Sequence, residues 1–159
     1  MSRERGVKKN LKYKLLILAV ITVVVLAAWF FLMPKKTVPS GYKDTYLLYS
    51  WVDGVEYSIT QEQGQLIMEV LKSVSMHGSL NNPYYRDRES CSIDLVFSFL
   101  DEKGFTKEVR RLSIAKVSGG RESAFLSYNP FPGRSLLRLY GKVTDADQLY
   151  DKIMEIIGK

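Results

Sequence analysis

From Leu15 to Met33 the chain reads LLILAVITVVVLAAWFFLM, an apolar run with one polar side chain, Thr22, and no glycine or proline. At about 1.5 Å of rise per helical residue it covers roughly the 30 Å hydrocarbon layer of a bilayer. The β-branched stretch from Val23 to Val25 is a weak helix former in water, but in lipid every backbone amide must bond internally, so the solvent imposes a helix. Trp29, Phe30 and Phe31 stand near its end, and Pro34, Lys35 and Lys36 close it. A cleaved signal would carry a shorter apolar region followed by small residues, whereas this run is followed by Pro-Lys-Lys. The pattern predicts a transmembrane helix over residues 15–33.

Beyond it, PKKTVPSGYKDT (residues 34–45) has two prolines, a glycine and no apolar periodicity, and predicts a stalk. YLLYSWV and VEYSIT are strand-like runs joined by Asp53-Gly54, the strongest short hairpin signal. A two-residue hairpin sets Val52 against Val55, Ser50 against Tyr57 and Leu48 against Ile59, with Trp51, Tyr49 and Leu47 on the other face. Thr60 and Gln63 have capping-box spacing, and Leu66, Ile67, Val70, Leu71 and Val74 recur at helical intervals, predicting a helix over 61–75. Residues 76–90, MHGSLNNPYYRDRES, read as a long loop, and loops of that length are often functional. Ile93, Leu95, Phe97 and Phe99 alternate as the inward side of a strand. The strand after Phe105 alternates through Val109 and then slips to Leu112 and Ile114, which predicts a bulge near Arg110 and Arg111. SAFLSY and SLLRLYGKV predict a further hairpin around NPFPGR. Thr144 with Asp147 opens a last helix whose buried stripe is Leu149, Ile153, Ile156 and Ile157.

The order is ββα, loop, ββββα: an α+β fold in which a mainly antiparallel sheet carries two packed helices, over residues 46–159. Gln65-Leu66 and Gln148-Leu149 open corresponding helices, but identity between the two units hardly extends further.

Charge changes the picture. The net charge of +6 suggests nucleic-acid binding until its distribution is followed. Residues 1–14 hold six bases and one acid, leaving 17 bases against 16 acids elsewhere. The basic tail is what topology requires of a cytoplasmic amino end, and the near-neutral remainder excludes nucleic acid as a partner. The domain is then extracytoplasmic, and the lipid bilayer contacts residues 15–33. With Cys91 as the only cysteine, the domain has no internal disulfide, and its stability comes from packing. Asn-x-Ser/Thr glycosylation sites are absent, which favours a bacterial cell envelope.

This plan, a signal anchor, a stalk and a small disulfide-free α+β domain, resembles uncharacterised membrane-anchored proteins of Gram-positive, Clostridia-like bacteria that carry domains of unknown function. The resemblance is one of layout along the whole chain and transfers no functional residues.

Candidate chemistry is sparse. His77 is the only histidine, and its spacing from Cys91 does not suggest a nucleophile and base. Gly119-Gly120 lacks the surroundings of a phosphate loop. No metal site and no cofactor are expected. Tyr84, Tyr85, Arg86 and Arg88 cluster on the long loop, and Phe131 and Arg134 lie around the Asn129 to Gly133 turn. Tyrosine and arginine are the commonest interface anchors, so these six residues are the candidate partner-binding surface, for an envelope protein or peptide. Two other readings compete: an envelope enzyme whose carboxylates converge only in the fold, and a small structural subunit held in a membrane complex through residues 15–33.

Overall fold

The computed structural model describes residues 2–79, 91–116, 122–128 and 139–158, with residues 2–11, 116 and 122 described by their backbone alone. The chain forms two compact units, Met1–Met33 and Pro34–Lys159.

The first unit is a single helix, α1 (Ser2–Leu32), which continues through the basic tail as well as the apolar run. Its segment Lys12–Leu32 is long and apolar enough to cross a membrane. Thr22 Oγ1, the polar side-chain atom in the run, donates to Leu18 O at 2.9 Å, so its hydroxyl is satisfied within the helix itself. The helix stops short of Met33 because the residue before a proline is pushed out of the helical region.

The second unit is α+β. Strands β1 (Lys35–Lys36), β2 (Asp44–Val52), β3 (Val55–Glu56), β4 (Ser75–Ser79), β5 (Ile93–Leu100), β6 (Thr106–Lys116), β7 (Glu122–Tyr128) and β8 (Leu139–Val143) form one antiparallel sheet in the order β1-β4-β8-β7-β6-β5-β2-β3. Helices α2 (Gln61–Ser73) and α3 (Ala146–Ile157) pack on one face, burying Ile67, Leu71, Leu149 and Ile153 against Ile93, Leu95, Leu112, Ile114 and Leu126.

The Asp53-Gly54 hairpin pairs Val52 with Val55 and Ser50 with Tyr57, as the two-residue turn requires. Both turn residues have positive φ, 51° and 75°. Further along β2 the expected phase fails. A bulge between Leu47 and Tyr49 turns Leu48 out to solvent and brings Leu47 onto the helix-covered face. One extra residue reverses the alternation of every side chain beyond it.

The Thr60 and Gln63 capping box forms at 3.2 and 2.9 Å. Gln63 Nε2 also reaches Ile156 O, and Tyr57 OH reaches Ile157 O, each at 3.0 Å, supplying donors to the open carbonyl end of α3. The capping box expected at Thr144 is absent. Asp145, with φ of 53°, is the N-cap without a side-chain hydrogen bond, and Thr144 Oγ1 instead donates to Ser75 O at 3.0 Å.

Three other differences share a cause: polar residues recruited by distant strands. Met76–Ser79, expected within a loop, pairs with β8, and Ser75, expected as the end of the helix, pairs with Lys36, so α2 ends at Ser73. Residues 34–45, expected as a stalk, supply β1, the first residues of β2 and the buried Thr37 and Val38. The bulge expected near Arg110 and Arg111 lies earlier in β6, at Lys107, where the register shifts between the pairs Phe99 with Glu108 and Leu100 with Thr106. The β5 and β6 register runs regularly from Glu108 to Ile114, placing Glu108 and Arg110 on the same face as Leu112 and Ile114.

At the crossing of β4 and β8, Gly141 opposes Gly78, and a Cβ on Gly141 would lie 2.3 Å from Met76 Sδ and 3.0 Å from Met76 Cβ. Gly141→Ala is therefore expected to cost about 1–3 kcal/mol through overpacking of the buried Met76. Thermal unfolding of the full chain in detergent checks this. Combining it with Met76→Ala should cost less than the two single changes added together, since the smaller side chain removes the clash.

Candidate functional site

The six residues expected to bind a partner, Tyr84, Tyr85, Arg86, Arg88, Phe131 and Arg134, lie outside the described residues. Within the described residues the fold assembles three features that the sequence pattern does not announce.

The first is a groove of about 770 Å³ between β2 and α2. Tyr42, Tyr46 and Leu47 line one wall, Gly64, Leu66 and Met68 the other, and Phe97 also contributes. It falls in the size range of ligand sites, with apolar walls and charges of both signs at Lys43, Asp44, Glu62, Glu69 and Lys72. Leu66 is 49% exposed here although its neighbours Ile67 and Met68 are buried. Thr45 Oγ1, on the β2 side, is buried with no hydrogen-bond partner among the described residues.

The second feature lies on the sheet face opposite the helices. Asp94 and Arg111 occupy neighbouring rows of β5 and β6 and form an ion pair of 2.6 Å at 0% and 9% side-chain exposure. Ser113 Oγ donates to the same carboxylate oxygen at 3.4 Å, and Ser127 Oγ accepts from the Arg111 backbone N–H at 3.0 Å. Burial by itself would lower the Arg111 pKa. The hydrogen bond and charge of Asp94, with smaller contributions from Tyr49 and Cys91, outweigh burial and raise it, so the guanidinium stays charged. Trp51 and Tyr49 share rows with Asp94 and Val96 on this face. Their placement away from Val52 and Ser50 follows the hairpin expectation.

The third feature ties residues 36–42 to the sheet. Arg110 and Glu108 form a buried ion pair at 2.8 Å, and Arg110 Nη1 donates to Lys36 O at 3.2 Å and to Thr37 O. Its guanidinium lies 5.9 and 5.8 Å from the ring centres of Phe99 and Tyr128. Burial raises the Tyr128 pKa, partly opposed by the Arg110 charge. Thr37 Oγ1 donates to Leu71 O, Lys107 Nζ to the Ser40 and Gly41 carbonyls at 2.9 Å, and Tyr42 packs edge-on against Phe99 at 5.3 Å.

The fold keeps His77 and Cys91 apart. His77 is on β4 and Cys91 just precedes β5, with β8, β7 and β6 between these strands. At about 4.8 Å per strand that is roughly 19 Å, far beyond proton transfer. Among the described residues no three His, Cys, Asp or Glu side chains converge as metal ligands would. The groove can receive another molecule, as can a concavity of about 670 Å³ lined by residues 34–42, 72–75, 144 and 145, and part of the groove's signal is visible in retrospect: Gly64 interrupts a helix that otherwise keeps strong periodicity. No protein-family model, curated protein or solved structure matches this chain.

Proposed function

We propose that this chain is a membrane-anchored interaction module: α1 crosses the cell membrane with its amino end in the cytoplasm, and residues 34–159 stand outside and bind an envelope protein or peptide. The observation that carries this reading is the groove between β2 and α2, an open concavity with an exposed leucine on its helical wall. Exposed apolar surface inside a concave site is a common mark of a recognition surface. The anchor restricts the search for a partner to the membrane surface, and the six bases before the span favour the cytoplasmic amino end.

Two experiments test the two halves of the reading. In a Cys91→Ser background, a thiol reagent that cannot cross membranes is expected to label Ser40→Cys in intact cells and Ser2→Cys only after lysis. The opposite pattern would reverse the orientation, and a mature chain starting beyond Met33 would remove the anchor. For the domain, a photo-crosslinking residue at position 66 is expected to capture a discrete partner in native membranes. Capture should be lost with Met68→Lys. If instead a partner pulled down with the full chain survives Leu66→Glu and is lost on combined Tyr84→Ala, Tyr85→Ala and Arg86→Ala, the binding surface is the tyrosine and arginine segment and not the groove.

A further inference from the structure

Resting on the interaction reading above, we infer that the groove takes an extended peptide segment of a partner protein, which adds to the sheet as a strand along the outer edge of β2. The two ends of the sheet are built differently. At one end β1 is two lysines, Lys35 and Lys36, the short, charged composition with which proteins guard an edge against further pairing. At the other end β3 pairs only with Trp51 and Val52, and the Tyr57 N–H extends that contact to Ser50. On its outer side the segment Asp44–Leu48 has no strand partner among the described residues. It holds no lysine or proline, and it presents Tyr46 and Leu48 at 47% and 55% exposure.

A row of backbone N–H and C=O groups is complementary to one chemical object, another extended backbone. The groove places room for that backbone directly beside this edge, and its apolar side (Leu47, Leu66, Met68, Phe97) suits every second side chain of the incoming segment. Charges of both signs surround it, so net charge does not select the occupant. Apolar side chains and the backbone ladder do.

A second, independent observation comes from the opposite wall. Gly64 sits inside α2, where glycine weakens a helix, yet a Cβ there would meet nothing within 4 Å. No close neighbour among the described residues calls for a glycine at this position. Glycine instead keeps the helical wall low where it faces β2, which an incoming chain requires. The buried Thr45 Oγ1, lacking a partner among the described residues, faces the same need for a polar group from outside.

The test uses the full chain in detergent micelles. The probe is a pool of synthetic octapeptides carrying Val, Ile, Leu, Phe or Tyr at alternate positions and Ser, Thr, Asn or Lys between them. Strand addition predicts that the best binder from the pool slows amide hydrogen exchange over residues 44–48 by roughly tenfold or more. N-methylating every second residue of that peptide in one register should weaken binding roughly tenfold or more, while N-methylation in the other register leaves it nearly unchanged. Gly64→Leu is expected to keep or raise the unfolding temperature and to abolish peptide binding, a separation that a purely structural role for Gly64 would not produce.

Peptides that bind without protecting residues 44–48, or that tolerate both N-methyl registers equally, would overturn strand addition and leave the interaction reading standing. Concentration-dependent dimerisation that protects the same amides without peptide would also overturn it, naming a second copy as the occupant. If no peptide binds but position 66 still captures a partner, the occupant is not an extended segment. If position 66 captures nothing either, the groove falls as the binding surface, and the interaction reading stands only if a partner is lost on the combined Tyr84→Ala, Tyr85→Ala and Arg86→Ala change.

Discussion

Asp94→Ala, in the full chain, is expected to cost about 3–5 kcal/mol, because it takes the hydrogen-bonded counter-charge away from a buried guanidinium. Asp94 is fully buried and Arg111 nearly so, and their 2.6 Å contact lies at the centre of the sheet, on neighbouring rows of β5 and β6. A domain of ordinary stability has roughly 5–15 kcal/mol in all, so this single change removes a large share of it. Thermal unfolding followed by near-ultraviolet circular dichroism should show a fall of about 10 °C or more. The control is the double replacement Asp94→Leu with Arg111→Met, which removes both charges while keeping volume. It should recover most of the loss, as buried pairs replaced by packed apolar groups often do. A double variant as unstable as Asp94→Ala would show that the shape of these side chains, and not their charge, holds the position.

Arg110→Leu is the second large effect, expected at about 3–5 kcal/mol for the same reason, since the buried Glu108 loses its counter-charge. Its consequences reach further along the chain. Arg110 holds the Lys36 and Thr37 carbonyls and lies against the rings of Phe99 and Tyr128, so its loss releases the segment that follows α1. Limited trypsin digestion of the detergent-solubilised chain should cut after Lys36 faster in this variant, while cleavage elsewhere in the domain rises only with global unfolding. Arg110→Lys keeps the charge but not the planar fork that reaches Glu108 and two carbonyls together, and it should fall between the wild type and Arg110→Leu. Unchanged cleavage after Lys36 in Arg110→Leu would mean that Thr37, Lys107 and Tyr42 dock the segment without help.

Both pairs explain where sequence reading of β6 went astray. On pattern alone the alternation slips at Arg110 and Arg111, because charged residues at inward positions count against a strand face. The register shifts earlier, at Lys107, and then runs regularly through Arg110 and Arg111. Arg110 is inward because Glu108 is inward beside it, and Arg111 is buried on the opposite face because Asp94 faces it from β5. A charge can occupy a buried row when its partner sits within hydrogen-bonding distance, and for Arg111 that partner is 17 residues away in sequence.

What the sequence determined by itself was whatever depends on neighbouring residues. The apolar helix, the Asp53-Gly54 hairpin and its register, the capping box of α2, the inward face of β5 and the α+β class all arise from side chains within a few positions of one another. Local sterics, period and solvent preference act on them directly. The tertiary structure alone decided what depends on distant partners. It drew Ser75–Ser79 and Lys35–Lys36 into the sheet, reversed the phase of β2 at Leu48, docked residues 36–42 through Arg110, and opened a groove between β2 and α2. Polar edge strands carry weak propensity of their own, and a groove is the space left between two elements. Neither exists until the sheet has brought residues far apart in the chain side by side.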